Sequence, residues 1–176
     1  MPQAGNHKAV CLVGFMGAGK TSVGRSLARR LGWSFEDLDD RIQARAGRSI
    51  PEIFRDLGEG EFRRLENTSL RELLSELDTG PRVVALGGGA FAQPENATLL
   101  KSAGIEVIFL DGLAEELFHR CQQEQRERPL LQNAKQFREL YEQRRSSYLM
   151  ASCRIDTTGK DVDGVAVEVA CSIGLA

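Results

Sequence analysis

The chain has 176 residues, of which 41% are hydrophobic and 27% charged, and its formal net charge is −2. A chain of this length buries roughly 70% of its unfolded surface, enough for one core, and the composition is that of an ordinary globular protein. The small negative balance excludes the broad basic face of a nucleic-acid or anionic-membrane binder, so neither partner is expected.

Four cysteines, at 11, 121, 153 and 171, form no C-x-x-C pair and have no histidine nearby, which argues against a zinc site or a disulfide framework. Cys11 and Cys153 lie in apolar runs and read as small core residues. No apolar run approaches the roughly 18 residues of a membrane helix. The first residues lack the basic and then apolar order of a signal peptide. Cytoplasmic residence is the resulting expectation, and because no long apolar surface stripe demands a partner, a monomeric state is expected as the default.

In chain order, "KAVCLVGF" is an apolar run ending in glycine, the mark of a buried parallel strand. Val23, Leu27 and Leu31 then recur at helical spacing from Lys20 to Leu31, and Gly32 supplies the stop. "SFEDLDD" reads as a second strand ending in acids. "SIPE", from Ser49 to Glu52, is a capping box with proline in the first turn, so a helix begins there. A further helix is expected from about Glu61 to Leu77. "RVVALGGG", "IEVIFLD" and "CRIDTT" read as the third, fourth and fifth strands. Helices are expected at about Pro94–Ser102, Leu113–Gln122, Ala134–Met150 and Val162–Ser172. Alternating strands and helices predict an α/β fold with right-handed crossovers and a parallel sheet covered on both faces. The polar stretch 122–136, with Pro129 and no period of its own, reads as a lid.

"GFMGAGKT", Gly14 to Thr21, has the spacing G-x-x-x-x-G-K-[ST] of a phosphate-binding loop, and it lies between a predicted strand and a predicted helix. Successive backbone N–H groups at a helix N-terminus attract an anion by hydrogen bonding and by the helix dipole. Gly17, Ala18, Gly19, Lys20, Thr21 and Ser22 are therefore the expected nucleotide-phosphate contacts, with Lys20 reaching the β- and γ-phosphates and Thr21 a ligand for Mg²⁺.

Asp37 and Asp39, two apart at the predicted strand end, leave on one face beside this loop. One suits the shell of Mg²⁺ and the other suits a hydroxyl proton. Asp40 reads as the cap of the next helix, and Asp111 as a helix N-cap rather than a metal ligand. "LGGGA" removes side chains where many such proteins carry an acid, which leaves room for a small acceptor close to the backbone. His7 and His119 have no plausible partners and are assigned no role.

In combination, "GFMGAGKTSVGRSLA", "FEDLDDRI", "GRSIPEIF…GEGEFRRLE", "LGGGA", "RPLL" and "LYEQRRSSY" resemble the shikimate kinases, and the likeness runs from about Lys8 to the last helix. The resemblance implies a three-layer αβα P-loop kinase fold with a five-stranded parallel sheet, over one domain spanning residues 1–176. The acceptor would be bound by a helical region at about 39–66, beneath the lid.

It further implies transfer of the ATP γ-phosphate to the 3-hydroxyl of shikimate, with ATP and Mg²⁺ required, on the route to aromatic amino acids. Asp37 would support Mg²⁺, and Asp39 would bind the acceptor hydroxyl and act as base. Arg63 and Arg144 would grip the carboxylate, and Gly87, Gly88 and Gly89 would line the pocket. Arg128 would swing in on the lid, and Arg120 would stack on adenine.

Ser146 stands where the family often has proline, which leaves Arg144 and Arg145 to compete for the carboxylate; the spacing to Tyr148 favours Arg144. The rival readings are a gluconate kinase-like enzyme, a nucleotide switch, and a catalytically silent homologue. The switch is disfavoured because the N-K-x-D guanine-reading motif is absent, and the silent homologue because Lys20, Thr21, Asp37, Asp39 and Arg128 are all present.

Overall fold

Strand β1, Ala9–Val13, is buried along its whole length because parallel neighbours flank both its edges. The computed structural model describes residues 8–124 and 133–175. The other strands are β2 (Ser34–Asp37), β3 (Arg82–Ala85), β4 (Glu106–Asp111) and β5 (Cys153–Asp156). All are parallel, in the order β2-β3-β1-β4-β5. Helices α1 (Lys20–Leu31), α2 (Leu38–Ala46), α3 (Ile50–Ser75), α4 (Pro94–Ser102), α5 (Ala114–Gln123), α6 (Ala134–Tyr148) and α7 (Val162–Ser172) surround the sheet in the expected αβα layers.

The strand order places the site. The chain leaves β1 toward one sheet edge, to β2, and leaves β3 toward the other, to β4. The carboxyl ends of β1 and β3 therefore border a crevice at the topological switch point, where sheets of this kind take their ligands. Leu86 N donates to Leu12 O at 3.0 Å, so the two chains stay paired just beyond β3 before they diverge.

Several predicted boundaries hold to the residue, namely those of α1, α4 and α7. α1 ends on Gly32 in the left-handed conformation (φ 67°), whose N–H returns to Ala28 O and Arg29 O. The Ser49–Glu52 capping box is present: Ser49 N donates to Glu52 Oε2 at 2.8 Å and Glu52 N to Ser49 Oγ at 3.4 Å. The two helices expected from Ser49 and from about Glu61 meet at a kink on Gly58, which has φ 83°.

Three readings are corrected. β2 stops at Asp37 and α2 begins at Leu38, so Asp39 lies in a helical first turn rather than on a strand. Within the stretch 122–136 expected to be a lid, Gln122 and Gln123 close α5 and Ala134–Gln136 open α6, and residues 125–132 lie outside the described residues. Cys153 is only half-buried, unlike Cys11. Among the described residues no helix is long and apolar enough to cross a membrane.

α1 packs flat on the sheet at Gly24, where a Cβ would lie 2.5 Å from Phe35 Cε2 and 3.4 Å from Leu12 Cδ1. Gly24→Val is therefore expected to lower the unfolding free energy by about 1–3 kcal/mol, read from the urea midpoint. An unchanged midpoint would show that Phe35 gives way freely.

Candidate active site

The loop from Gly14 to Lys20 is pressed against its surroundings. Gly17 has φ 81°, and a Cβ there would lie 2.6 Å from Leu117 O on α5. The loop then feeds α1, whose first turn carries no acid to compete with a bound anion. Lys20 Nζ donates to Gly14 O at 2.7 Å and Phe15 O at 3.2 Å, which holds the ammonium over the loop mouth. Behind the loop, Arg120 donates to Gly17 O at 3.4 Å and to Glu116 at 2.7 Å. Arg120 there borders a cleft with Gly19, Ser22 and Thr157.

Asp37 works with both oxygens. Oδ1 accepts from Asp39 N at 3.0 Å and caps α2, the role expected of Asp40. Oδ2 accepts from Thr21 Oγ1 at 3.0 Å. A hydroxyl and a carboxylate oxygen side by side at a phosphate loop are hard donors, and they fit Mg²⁺, which usually takes one or two protein ligands and completes its shell with phosphate oxygens and water.

Beyond Asp37 opens a cavity of ≈ 410 Å³ floored by Gly87–Gly89 and walled by Met16, Ile50, Phe54 and Phe62. Each floor glycine faces one charged side chain. A Cβ on Gly87 would lie 2.6 Å from Asp39 Oδ1, one on Gly88 3.1 Å from Arg144 Nη1, and one on Gly89 2.6 Å from Arg63 Nη2. Any side chain there would push these groups out of the pocket. Tyr148 ties the floor down by donating to Gly88 O.

Arg63 donates to Glu66 Oε1 at 3.0 Å and Oε2 at 3.2 Å, and lies 3.6 Å from Glu59. Glu66 is 1% exposed; burial raises its pKa and the Arg63 charge pulls it down. Asn96 completes this support, with Nδ2 donating to Ala90 O at 3.0 Å and lying 3.4 Å from Glu66. Asn96 and Tyr148 were not legible as site residues. Asn96 lies in α4 outside every motif, and Tyr148 read only as a spacing marker. Arg128 lies outside the described residues.

Asp111 is not a helix cap. Leu113 occupies that position of α5, with no side-chain bond, while Asp111 receives Arg145 at 2.9 Å and Arg154 at 2.7 Å. Arg145 is therefore turned away from the cavity that Arg144 lines, which separates the two competing arginines.

A switch-point parallel sheet, a phosphate loop and an acceptor cavity beside it define a P-loop small-molecule kinase. The comparisons with known proteins narrow this class. Residues 16–173 match the family model described as shikimate kinase. The shikimate kinase of Geobacter sulfurreducens is 46% identical over 92% of this chain and 88% of its own length. That of Persephonella marina is 43% identical over 86% and 90%. Among solved structures, the shikimate kinase of Acinetobacter baumannii in complex with shikimate superposes with a TM-score of 0.87 at 36% identity, covering 96% of this chain and 93% of that one. A gluconokinase of Sinorhizobium meliloti, at 17% identity and a TM-score of 0.61, shares the fold alone. The chain belongs to the shikimate kinase family, and it is an ATP-dependent phosphotransferase.

Burial, and then the nearby Asp37 charge, raise the Asp39 pKa from its ordinary 3.8 to about 6, against the pull of Lys20. The folded state therefore holds the proton more tightly than the unfolded chain. A penalty for the ionised form develops as pH rises from about 4 to 6 and persists above, on the order of 3 kcal/mol. In chelator-treated, nucleotide-free protein, Asp39→Asn is expected to raise the melting temperature at pH 8 and to lose that advantage near pH 4. Equal shifts at both pH values would remove the strain from Asp39.

Proposed function

We propose that this protein transfers the γ-phosphate of ATP to the 3-hydroxyl of shikimate, giving shikimate 3-phosphate and ADP. The observation that carries this reading is the cavity floor, where three glycines leave room for one carboxylate and two guanidiniums to face a small cavity beside a phosphate loop. A cyclic acid with hydroxyls has the matching chemistry. Its carboxylate meets the forked donors of Arg63 and Arg144, and one hydroxyl meets Asp39.

The residues divide the work. Backbone amides of the loop and Lys20 hold the phosphates, while Glu66 and Asn96 fix the Arg63 fork. Asp39 accepts the hydroxyl hydrogen bond and takes the proton as the new bond forms. With a pKa near 6 it is largely ionised at neutral pH and thus competent as a base. Thr21 and Asp37 would hold Mg²⁺, which supplies charge neutralisation at the phosphates when bound. Arg128 is assigned to the transferring phosphoryl group and Arg120 to the adenine face. We also assign the chain to a single domain, a monomer and the cytoplasm.

ADP release from purified protein with Mg·ATP is the test, with shikimate, gluconate or no acceptor present. Turnover is expected with shikimate alone, and gluconate-dependent turnover without it would overturn the acceptor assignment. Lys20→Ala is expected to lower kcat by roughly a hundredfold or more; unchanged turnover would remove Lys20 from the reaction.

A further inference from the structure

Asp111 is a strand-end acid that the proposed reaction does not use, yet it is only 4% exposed. Its Oδ1 accepts from Gly112 N at 3.0 Å, and its Oδ2 from Arg145 Nη2 at 2.9 Å and Arg154 Nε at 2.7 Å. The Tyr141 hydroxyl lies 3.3 Å from Oδ1 and donates to Gly112 O at 2.9 Å. One carboxylate at the end of β4 thus gathers β5, through Arg154, and α6, through Tyr141 and Arg145. With two guanidiniums against Oδ2 and Gly112 N on Oδ1, both carboxylate oxygens are taken up within the fold, and the group is no candidate for Mg²⁺.

The spacing on α6 gives this cluster a consequence. Tyr141 and Arg145 are four apart, as are Arg144 and Tyr148, and the two pairs are centred about 60° apart around the helix axis, with Arg144 and Arg145 themselves about 100° apart. The first pair docks on Asp111 and Gly112. The second reaches the cavity floor, where Tyr148 donates to Gly88 O and Arg144 Nη1 stands over Gly88. Arg144 also lies over the Phe15 ring, 5.9 Å from its centroid, a contact that does not select one rotation of the guanidinium. The direction of Arg144 therefore follows the rotation of α6, which the docked pair sets together with the buried Phe137 and Tyr148 rings. Asp111 is buried but the Arg145 and Arg154 side chains are 30% and 54% exposed, so solvent screening and the desolvation of Asp111 leave these pairs a poor source of net stability; what they can supply is a defined arrangement.

We infer that Asp111 is a positioning residue for acceptor binding: by docking Arg145 and Tyr141 it helps fix the rotation of α6 and so aims Arg144 at the acceptor carboxylate. This rests on the reading of Arg144 given above. Because the Arg144 contact is made alike in the bound ground state and the transition state, its loss acts on KM and spares kcat.

The test is steady-state kinetics on Arg145→Gln, Arg145→Lys, Asp111→Asn, Arg144→Ala and the double variant Arg144→Ala/Arg145→Gln. Arg145→Gln is expected to raise the shikimate KM about tenfold, the size of one weakened charge-assisted contact. The KM for ATP and kcat should stay within about twofold, and Arg145→Lys should recover part of the loss. Asp111→Asn, if its circular-dichroism spectrum is that of the wild type, should show the same pattern. In the Arg144→Ala background, Arg145→Gln should add less than about twofold, since there is no guanidinium left to aim.

A wild-type shikimate KM in Arg145→Gln, with Arg144→Ala impaired, overturns the clamp and leaves the acceptor reading intact. So does a full tenfold loss added on top of Arg144→Ala. A wild-type KM in Arg144→Ala alone sinks the carboxylate reading, and the clamp with it.

Discussion

The site depends on β1 and β3 staying paired past β3. The bond from Leu86 N to Leu12 O holds the two chains in register, and each then opens into a glycine-rich turn on the same side of the sheet. One turn becomes the phosphate loop and the other the cavity floor. Donor and acceptor pockets are thus adjacent by strand order alone, before any side chain contributes. A parallel sheet permits this because its connections leave neighbouring strands toward opposite edges at the switch point.

Charge is then distributed on this frame with little surplus. The cavity is lined by Asp37, Asp39, Asp40 and Glu66 against Lys20, Arg63 and Arg144. Four acids and three bases leave a formal balance of −1, an unfavourable reception for a triphosphate and a carboxylate acid arriving together. In the proposed reaction the excess is met by Mg²⁺ and by Arg128. Arg63, which the proposed reaction assigns to the acceptor carboxylate, is held by Glu66, and Arg144, assigned with it, stands over Gly88.

Much of the frame was legible because its signals are local. The phosphate loop, the capping box at Ser49 and the stop at Gly32 each depend on a few neighbouring residues, and each appears where the chain predicts it. Asp37 and Asp39 were expected to share a face because they were read on one strand. They do meet at the cavity, but Asp37 ends β2 and caps the helix that carries Asp39. The local pattern "DLDD" fits a strand end and a helix start equally, and the cap decides between them.

What the sequence by itself determined is the chemistry: a phosphate loop, acids beside it, and the residue types that match one family over nearly the whole chain. What only the tertiary structure decided is which similar group meets which neighbour. Arg144 and Arg145 are neighbours of identical chemistry, and Asp37, Asp40 and Asp111 are each an acid at an element boundary. Their roles diverge because long-range packing places Asp111 under α6 and turns Arg145 onto it, which leaves Arg144 to the cavity. No window of local sequence contains both Asp111 and Arg145, 34 residues apart. Their pairing exists only once the sheet has brought β4 beneath the helix.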